Sequence, residues 1–225
     1  MSKLSFFIVE FIICISILLI PFNNHQALNT SELLNYVIII DPGHGGKDNG
    51  CVVNNICEDR INLEISLVLY EELINEGFIV YLTRDGDYDL AYEDSLNRKR
   101  DDLKNRIKLI NSYQASLLVS IHMNYYDSPS IYGPMVYYKD GDDSCLIAEN
   151  IQKELNLLTS LNKITHSEDF YLFRNTYALA ILIECGFLSN KIEQEKLIDN
   201  HYQRLLCKCV SKGIKDYFIN NKNNG

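Results

Sequence analysis

The chain has 225 residues, of which 47% are hydrophobic, enough for one domain with a buried core in addition to a targeting segment. Its formal net charge of −9 argues against a nucleic-acid partner, because such a partner requires a basic face. The chain contains seven cysteines, but a domain of this size does not need disulfides to fold. We therefore expect free thiols, with a small loop closed by Cys51 and Cys57 as the alternative.

Residues 1–24 have the pattern of a membrane-targeting segment. Lys3 precedes an almost wholly apolar run at 4–20, and Pro21 ends this run. As a helix the run would span about 26 Å, slightly less than the roughly 30 Å hydrocarbon core of a bilayer. No clean cleavage site follows, so we expect an uncleaved anchor, with a cleaved signal or a buried helix as alternatives. With an anchor or a signal, the rest of the chain lies outside the cytoplasmic membrane.

After this segment, strand and helix patterns alternate along the chain. This alternation is typical of a single α/β domain with a mostly parallel, twisted sheet flanked by helices, which we expect over residues 35–220. In chain order the pattern predicts a strand at 37–41, a helix at 58–76, a strand at 78–83, a polar loop at 84–94, a helix at 95–113, a strand at 117–122, a short strand at 134–138, a helix at 143–158, a strand-like segment at 170–173, a strand at 179–184 and a helix at 191–220 that breaks near Asn200.

Three predicted strands end in side chains that can bind a metal or transfer a proton. His44 lies in a Pro-Gly-His-Gly-Gly turn after the first strand, His122 ends the third, and Glu184 ends the strand at 179–184. The carboxyl ends of parallel strands line one crevice in open α/β sheets, so these side chains are expected to converge. Hydrolytic zinc takes three protein ligands from His, Glu and Asp and keeps one position open. The sequence therefore predicts a zinc hydrolase.

The third ligand and the catalytic carboxylate have to be chosen among several acidic residues. Glu58 is the best candidate for the third ligand, since it lies where the glycine loop leads into the first helix, and Asp48 and Asp59 are its rivals. A carboxylate directly after a buried strand is costly unless it is paired, metal-bound or catalytic. We therefore expect Glu184 to act as a general base toward the attacking water and then as an acid toward the departing amine. The alternative is a buried salt bridge from Glu184 to Arg84 or Arg174.

Five stretches of the chain resemble the zinc-dependent N-acetylmuramoyl-L-alanine amidases of the Amidase_3 type. The resemblance implies zinc ligands at His44, Glu58 and His122 and a catalytic glutamate at Glu184. The matching stretches are Ile39-Ile40-Asp41-Pro42-Gly43-His44-Gly45-Gly46, Glu58-Asp59-Arg60-Ile61-Asn62-Leu63, Leu82-Thr83-Arg84, Ser120-Ile121-His122-Met123-Asn124 and Ile183-Glu184-Cys185-Gly186-Phe187-Leu188-Ser189-Asn190.

Within that family the chain looks most like the small membrane-tethered amidases of the spore cortex, given its size, its N-terminal anchor and the lack of wall-binding repeats. The resemblance implies an enzyme of the forespore intermembrane space that cleaves the amide between N-acetylmuramic acid and L-alanine, a step toward muramic-δ-lactam in germination. It also implies that an extracytoplasmic activator protein is a candidate partner. Two other functions stay open from the residues alone: a zinc peptidase acting within the stem peptide, and a non-catalytic cell-wall-binding module.

Overall fold

The computed structural model describes residues 33–128 and 130–222, so the expected anchor at 1–24 lies outside the described residues. Within the described part, no helix combines the length and apolarity needed to cross a membrane. The strands are β1 (Val37–Pro42), β2 (Val52–Val53), β3 (Ile56–Cys57), β4 (Ile79–Leu82), β5 (Leu117–Asn124), β6 (Met135–Tyr138), β7 (His166–Ser167) and β8 (Leu179–Phe187). The helices are α1 (Glu58–Glu76), α2 (Arg98–Ser112), α3 (Ser144–Thr159), α4 (Tyr171–Asn175), α5 (Lys191–Leu197) and α6 (Asn200–Lys222).

Six strands form one sheet in the order β4-β1-β5-β8-β6-β7. The four strands β4, β1, β5 and β8 are parallel, whereas β6 pairs antiparallel with β8 and carries β7 along its outer edge. The prediction of a mostly parallel α/β sheet is therefore confirmed. Because β1, β5 and β8 are adjacent and parallel, their carboxyl ends lie at one edge of the sheet.

The sheet is covered by helices on both faces. Successive side chains of a strand point to opposite faces, so the aliphatic residues of β1 are shared between two cores. Ile38 and Ile40 pack in the cluster that includes residues of α1, α3 and α6, whereas Ile39 packs with residues of α2 and α4. Continuous aliphatic strands of this kind are typical of parallel sheets buried on both faces.

The helix boundaries follow local signals in the sequence. Gly77, at φ 100°, ends α1 in the left-handed conformation, and its backbone N–H donates to the carbonyl of Ile74. The side chain of Asn97 accepts a hydrogen bond from the backbone N–H of Arg100 and begins α2. The predicted break near Asn200 is confirmed, because α5 ends at Leu197 and α6 begins at Asn200.

The expectation of a strand-like segment at 170–173 is wrong, because this segment belongs to the short helix α4. Its aromatic residues favour a strand by propensity, but helical spacing lets Leu172 and Phe173 both be buried in the core shared with α2. The hairpin of β2 and β3 was not predicted, since strands of two residues carry no periodic signal. The expectation of free thiols is confirmed for the described cysteines, including Cys51 and Cys57.

Candidate metal centre

Two histidines and one glutamate meet at the carboxyl edge of the sheet. Nε2 of His44 lies 3.2 Å from Oε1 of Glu58, and Nδ1 of His122 lies 3.0 Å from the same oxygen. The two imidazole rings are nearly perpendicular, with their centroids 5.0 Å apart. The predicted convergence of the strand ends is thus present, and the three side chains offer ligand atoms that all lie within 4.8 Å of one another.

The loop after β1 places His44 through an unusual backbone conformation. His44 has φ 61°, and the two glycines that follow also have positive φ values, so the chain turns sharply back over the end of the strand. The backbone N–H of Gly45 then donates to the carbonyl of Asp48 at 2.9 Å. A left-handed non-glycine residue costs about 1–3 kcal/mol, and such strain persists only where surrounding contacts enforce it.

Two glycines let the backbone approach the ligand side chains closely. A Cβ atom on Gly43 would clash with Cε1 and Nε2 of the imidazole ring of His122. A Cβ atom on Gly50, which has φ +64°, would lie 2.5 Å from Oε2 of Glu58 and 2.8 Å from Cδ2 of His44. The absence of a side chain at Gly43 and Gly50 is therefore a steric requirement of the cluster.

Glu58 is held in the cluster by backbone groups from two other segments. It begins α1, directly after β3, and its Oε2 accepts a hydrogen bond from the backbone N–H of Cys51 at 2.8 Å. Its Oε1 accepts one from the backbone N–H of Met123 at 3.2 Å. These donors fix the carboxylate next to His122, one residue before Met123, so Glu58 is oriented before any metal binds.

The electrostatics of the cluster favour an ionised Glu58. Burial alone would raise the pKa of this carboxyl, but the hydrogen bonds and charges of His122 and His44 hold the pKa well below its usual range. Burial likewise opposes protonation of His44, yet Glu58 and Asp48 together raise the pKa of the imidazole. The site therefore concentrates negative charge against two imidazoles, which suits a cation.

The three ligand candidates offer the His and Glu donors that a catalytic zinc ion takes in proteins. In a tetrahedral site with metal–ligand distances of about 2.1 Å, neighbouring ligand atoms lie about 3.4 Å apart, close to the two distances measured to Glu58. Asp48 does not take the place of Glu58 as the third ligand candidate. Its Oδ2 lies 3.0 Å from Nδ1 of His44, on the other side of the imidazole ring. A carboxylate on the second nitrogen of a metal-binding histidine orients the ring and fixes its tautomer.

Asp59 lies outside the cluster. Its side chain is buried, and Oδ1 has no hydrogen-bond partner among the described residues. Burial and the neighbouring charge of Asp87 raise the pKa of this carboxyl. Asp59 does contribute its backbone, because its carbonyl accepts a hydrogen bond from Arg84 at 2.8 Å.

A buried polar network lies under the glycine loop, and sequence reasoning did not identify it. The guanidinium of Arg106 donates to Oδ1 of Asp41 at 2.7 Å, to the carbonyl of Pro42 at 2.8 Å and to the carbonyl of His44 at 2.6 Å. Arg84 donates to the carbonyls of Pro42 and Gly43 at 3.0 and 2.9 Å. Two buried arginines therefore hold the strained loop that carries His44.

Glu184 lies on β8 directly beside His122 on β5, because the two residues are register partners in the parallel pair. The register of this pair shifts between His122 and Asn124, and a bulge of this kind turns the strand end next to a site. Oε2 of Glu184 is buried without a hydrogen-bond partner among the described residues. Burial and the charge of Glu58 raise the pKa of Glu184 to about 7, although the charge of His122 acts in the opposite direction.

The salt bridge weighed as an alternative for Glu184 is not formed by either expected partner. Arg84 is engaged by backbone carbonyls, and Arg174 pairs with Asp169 at 2.7 Å. A carboxylate that is buried and unpaired, and whose pKa is near 7, can exchange a proton with a reacting group near neutral pH. The site therefore combines a metal-capable cluster with an adjacent buried carboxyl of raised pKa.

This fold and this site define a class of protein: an α/β enzyme domain that presents a His-Glu-His cluster and a buried carboxylate at the carboxyl edge of a parallel sheet. Residues 38–216 match the family described as N-acetylmuramoyl-L-alanine amidase (Amidase_3). The chain therefore belongs to this family of N-acetylmuramoyl-L-alanine amidases, and the resemblance found in its motifs is confirmed.

Individual relatives agree with this assignment. The chain is 35% identical over 220 residues to the germination-specific N-acetylmuramoyl-L-alanine amidase of Bacillus subtilis, covering 94% of this chain and 93% of that protein. It superposes with a TM-score of 0.79 at 35% identity on the CwlD amidase from Clostridioides difficile in complex with the GerS lipoprotein, covering 82% of this chain and 99% of that one. The catalytic domain of the CwlV amidase from Paenibacillus polymyxa gives a TM-score of 0.72 at 30% identity, over 82% of this chain and 98% of that domain.

Proposed function

We propose that this chain hydrolyses the amide between N-acetylmuramic acid and L-alanine in spore-cortex peptidoglycan, outside the cytoplasmic membrane, with zinc as its metal. The observation that carries the proposal is the convergence of His44, Glu58 and His122 beside the unpaired carboxylate of Glu184. The similarity to a germination-specific amidase supports the cortex as the substrate.

In this proposal His44, Glu58 and His122 hold the zinc ion. Bound zinc supplies Lewis acidity, which polarises an amide carbonyl and makes water more acidic. The ionised state of Glu58 and the carboxylate of Asp48 behind His44 both prepare the protein side of this site. Asp48 acts here as a positioning residue, because it touches His44 and not the metal side of the cluster.

Glu184 is the acid–base group of the proposed reaction. It accepts a proton from the attacking water as the oxygen adds to the lactyl carbonyl carbon, and it returns a proton to the alanine nitrogen as the C–N bond breaks. A pKa of about 7 allows the same carboxyl to take and give a proton near neutral pH. Its position next to His122 supports a proton exchange beside the proposed zinc ligands.

A protein partner is part of the proposal. The structure of the CwlD amidase from Clostridioides difficile is that of a complex with the GerS lipoprotein. We propose that this chain also binds an extracytoplasmic partner and that this partner raises its zinc affinity. Its three ligands come from three separate segments, so a partner that binds the metal-loaded arrangement of these segments more tightly than the metal-free one would favour zinc binding by linkage. Zinc titration by calorimetry, with and without sporulation extract, tests this point. Tight binding and full turnover by the isolated protein would contradict it.

Mass spectrometry of muropeptides after digestion with zinc-loaded protein tests the proposed activity. The amidase yields muramic acid freed of L-alanine together with an intact stem peptide. A shortened stem peptide would instead identify a zinc peptidase, and no cleavage with retained wall binding would identify a binding module. Metal analysis of the same preparation is expected to give about one zinc per chain.

A further inference from the structure

Two exposed tyrosines follow the strand that carries His122. Tyr125 and Tyr126 come directly after the end of β5, and their exposed fractions are 49% and 55%. Together with Asp127 and Ser128 they line an open surface cavity of about 480 Å³. Large aromatic side chains that stay half-exposed beside a catalytic edge offer flat apolar faces to a ligand.

The backbone beneath these rings is held in place. The backbone N–H of Tyr125 donates to the side-chain oxygen of Asn124 at 2.8 Å, and that of Tyr126 donates to the hydroxyl of Ser189 at 3.1 Å. The N–H of Leu188 donates to the carbonyl of Asn124 at 2.9 Å, which links the same segment to the chain just after β8. The tyrosines are therefore presented by a backbone ordered before binding, which lowers the entropic cost of association.

The chain connection limits how far the tyrosines lie from the cluster. Tyr125 follows His122 by three residues, and an extended chain of that length spans at most about 10–11 Å. A disaccharide repeat of a glycan strand covers a similar length. A glycan strand with its muramic-acid amide at His122 extends over this range, which makes Tyr125 a candidate contact for the neighbouring sugar.

The lining of the cavity selects the chemistry of its ligand. Asp127 supplies a carboxylate, Ser128 supplies a hydroxyl, and among the described residues that line the cavity none is cationic. A negatively charged stem peptide is disfavoured there, whereas a neutral sugar presents hydroxyls to these acceptors and C–H groups to the rings. N-acetylglucosamine, the uncharged sugar of the glycan strand, fits this combination.

We propose that Tyr125 and Tyr126 form a glycan subsite, here called the tyrosine subsite, which stacks the N-acetylglucosamine next to the muramic acid being cleaved. The proposal rests on the proposed function for the identity of the ligand. In this proposal the loop after β5 aligns the substrate, whereas the chemical reaction takes place at His122 and Glu184.

Calorimetric titration with peptide-free glycan oligosaccharides tests the subsite, because these ligands contain no amide to cleave. The Tyr125→Ala/Tyr126→Ala double variant is expected to raise Kd at least about ten-fold, while Tyr125→Phe/Tyr126→Phe, which keeps the ring faces, stays within about three-fold of the wild type. Tyr177→Ala is the matched control, since Tyr177 is 92% exposed but precedes the amino end of β8, away from the site. Zinc content is expected to be the same in all variants.

The possible results of these experiments test the subsite separately from the hydrolytic activity. On polymeric peptidoglycan the alanine double variant is expected to raise KM about ten-fold with kcat nearly unchanged. Three results would overturn the subsite. The alanine double variant could bind glycan as tightly as the wild type, the phenylalanine or Tyr177 variants could lose as much glycan affinity as the alanine variant, or the wild type could fail to bind glycan. Loss of a protein partner with intact glycan binding would also overturn it and assign the tyrosines to that partner. A wild type that binds glycan but releases no stem peptide would refute the proposed function and leave the subsite standing.

Discussion

Replacing Arg106 by methionine tests whether the buried network holds the metal loop. The change keeps an unbranched apolar stem and removes the guanidinium of a residue that is only 1% exposed. Asp41 keeps its hydrogen bonds from Thr83 at 2.6 Å and Ser120 at 3.1 Å, but it loses its ion pair. Breaking a buried pair by removing one partner costs about 3–5 kcal/mol, because the other charge stays buried without compensation.

The loss of the bond to His44 adds to this cost. The carbonyl of His44 would lose a 2.6 Å donor, and an unsatisfied backbone acceptor costs about 1–3 kcal/mol where no water replaces it. Since that carbonyl is only partly shielded, we take the lower part of both ranges and expect Arg106→Met to destabilise the apoprotein by about 4 kcal/mol. For a chain of this size, this lowers Tm by about 8–16 °C.

Urea denaturation of the apoprotein measures this loss, and Arg100→Met is the matched control. Arg100 lies on the same helix, but its side chain is 58% exposed, so its loss should change stability by less than about 0.5 kcal/mol. Zinc affinity is expected to fall in Arg106→Met and to stay unchanged in the control. A loss below about 1 kcal/mol with normal zinc affinity would refute the argument that this network enforces the loop.

The pH dependence gives a second check on the same pair. Burial would raise the pKa of Asp41, but Arg106 and Thr83 hold it below its usual value of 3.8. A lowered folded-state pKa contributes stability that is present above the unfolded pKa and is lost as pH falls through the folded one. The difference in stability between the wild type and Arg106→Met is therefore expected to shrink below about pH 4. In a double-mutant cycle, Asp41→Asn should recover part of the loss, since it removes the uncompensated charge.

Four further results are expected. Glu184→Gln should keep the zinc and lose about 10²–10⁴-fold in kcat, and turnover within a few-fold of the wild type would move the general base elsewhere. Burial raises the folded-state pKa of Glu184 to about 7, so the wild-type apoprotein loses stability as the pH rises from about 4.5 to 7. Relative to the wild type, Glu184→Gln should therefore be more stable at pH 8 than at pH 4, as measured by thermal unfolding. The His44→Ala/His122→Ala double variant should lose zinc in metal analysis, and full retention would exclude these ligands. Gly43→Ala should displace the ring of His122 and weaken zinc binding measured by competition titration, whereas unchanged affinity would contradict the steric argument.

The strand ends could be predicted because their signals are local. An uninterrupted aliphatic strand followed by Pro-Gly-His-Gly-Gly specifies a buried strand and a sharp turn, and it therefore predicts where His44 lies. The same reasoning places His122 and Glu184 at one edge once the sheet is parallel. It was wrong at 170–173, where aromatic residues favour a strand locally but pack as a helix.

The choice among the acidic residues required the tertiary structure. Spacing left Glu58, Asp59 and Asp48 open, because all three lie in or next to one loop. Glu58 is selected by donors from Cys51 and Met123, which lie 7 residues before it and 65 residues after it in the chain. Asp48 faces the opposite nitrogen of His44. The orientation of a carboxylate depends on which backbone N–H groups surround it, and periodicity carries no information on that.

The sequence alone thus determined the fold class, the edge of the sheet that carries the site and the residue types placed there. These properties follow from hydrophobic periodicity and turn chemistry, which act between neighbours in the chain. Only the tertiary structure decided how the site is held. Arg106, for example, pairs with Asp41, 65 residues earlier in the chain, and also donates a hydrogen bond to the carbonyl of His44. Such contacts depend on long-range packing, where burial makes a paired charge stable and an unpaired one costly.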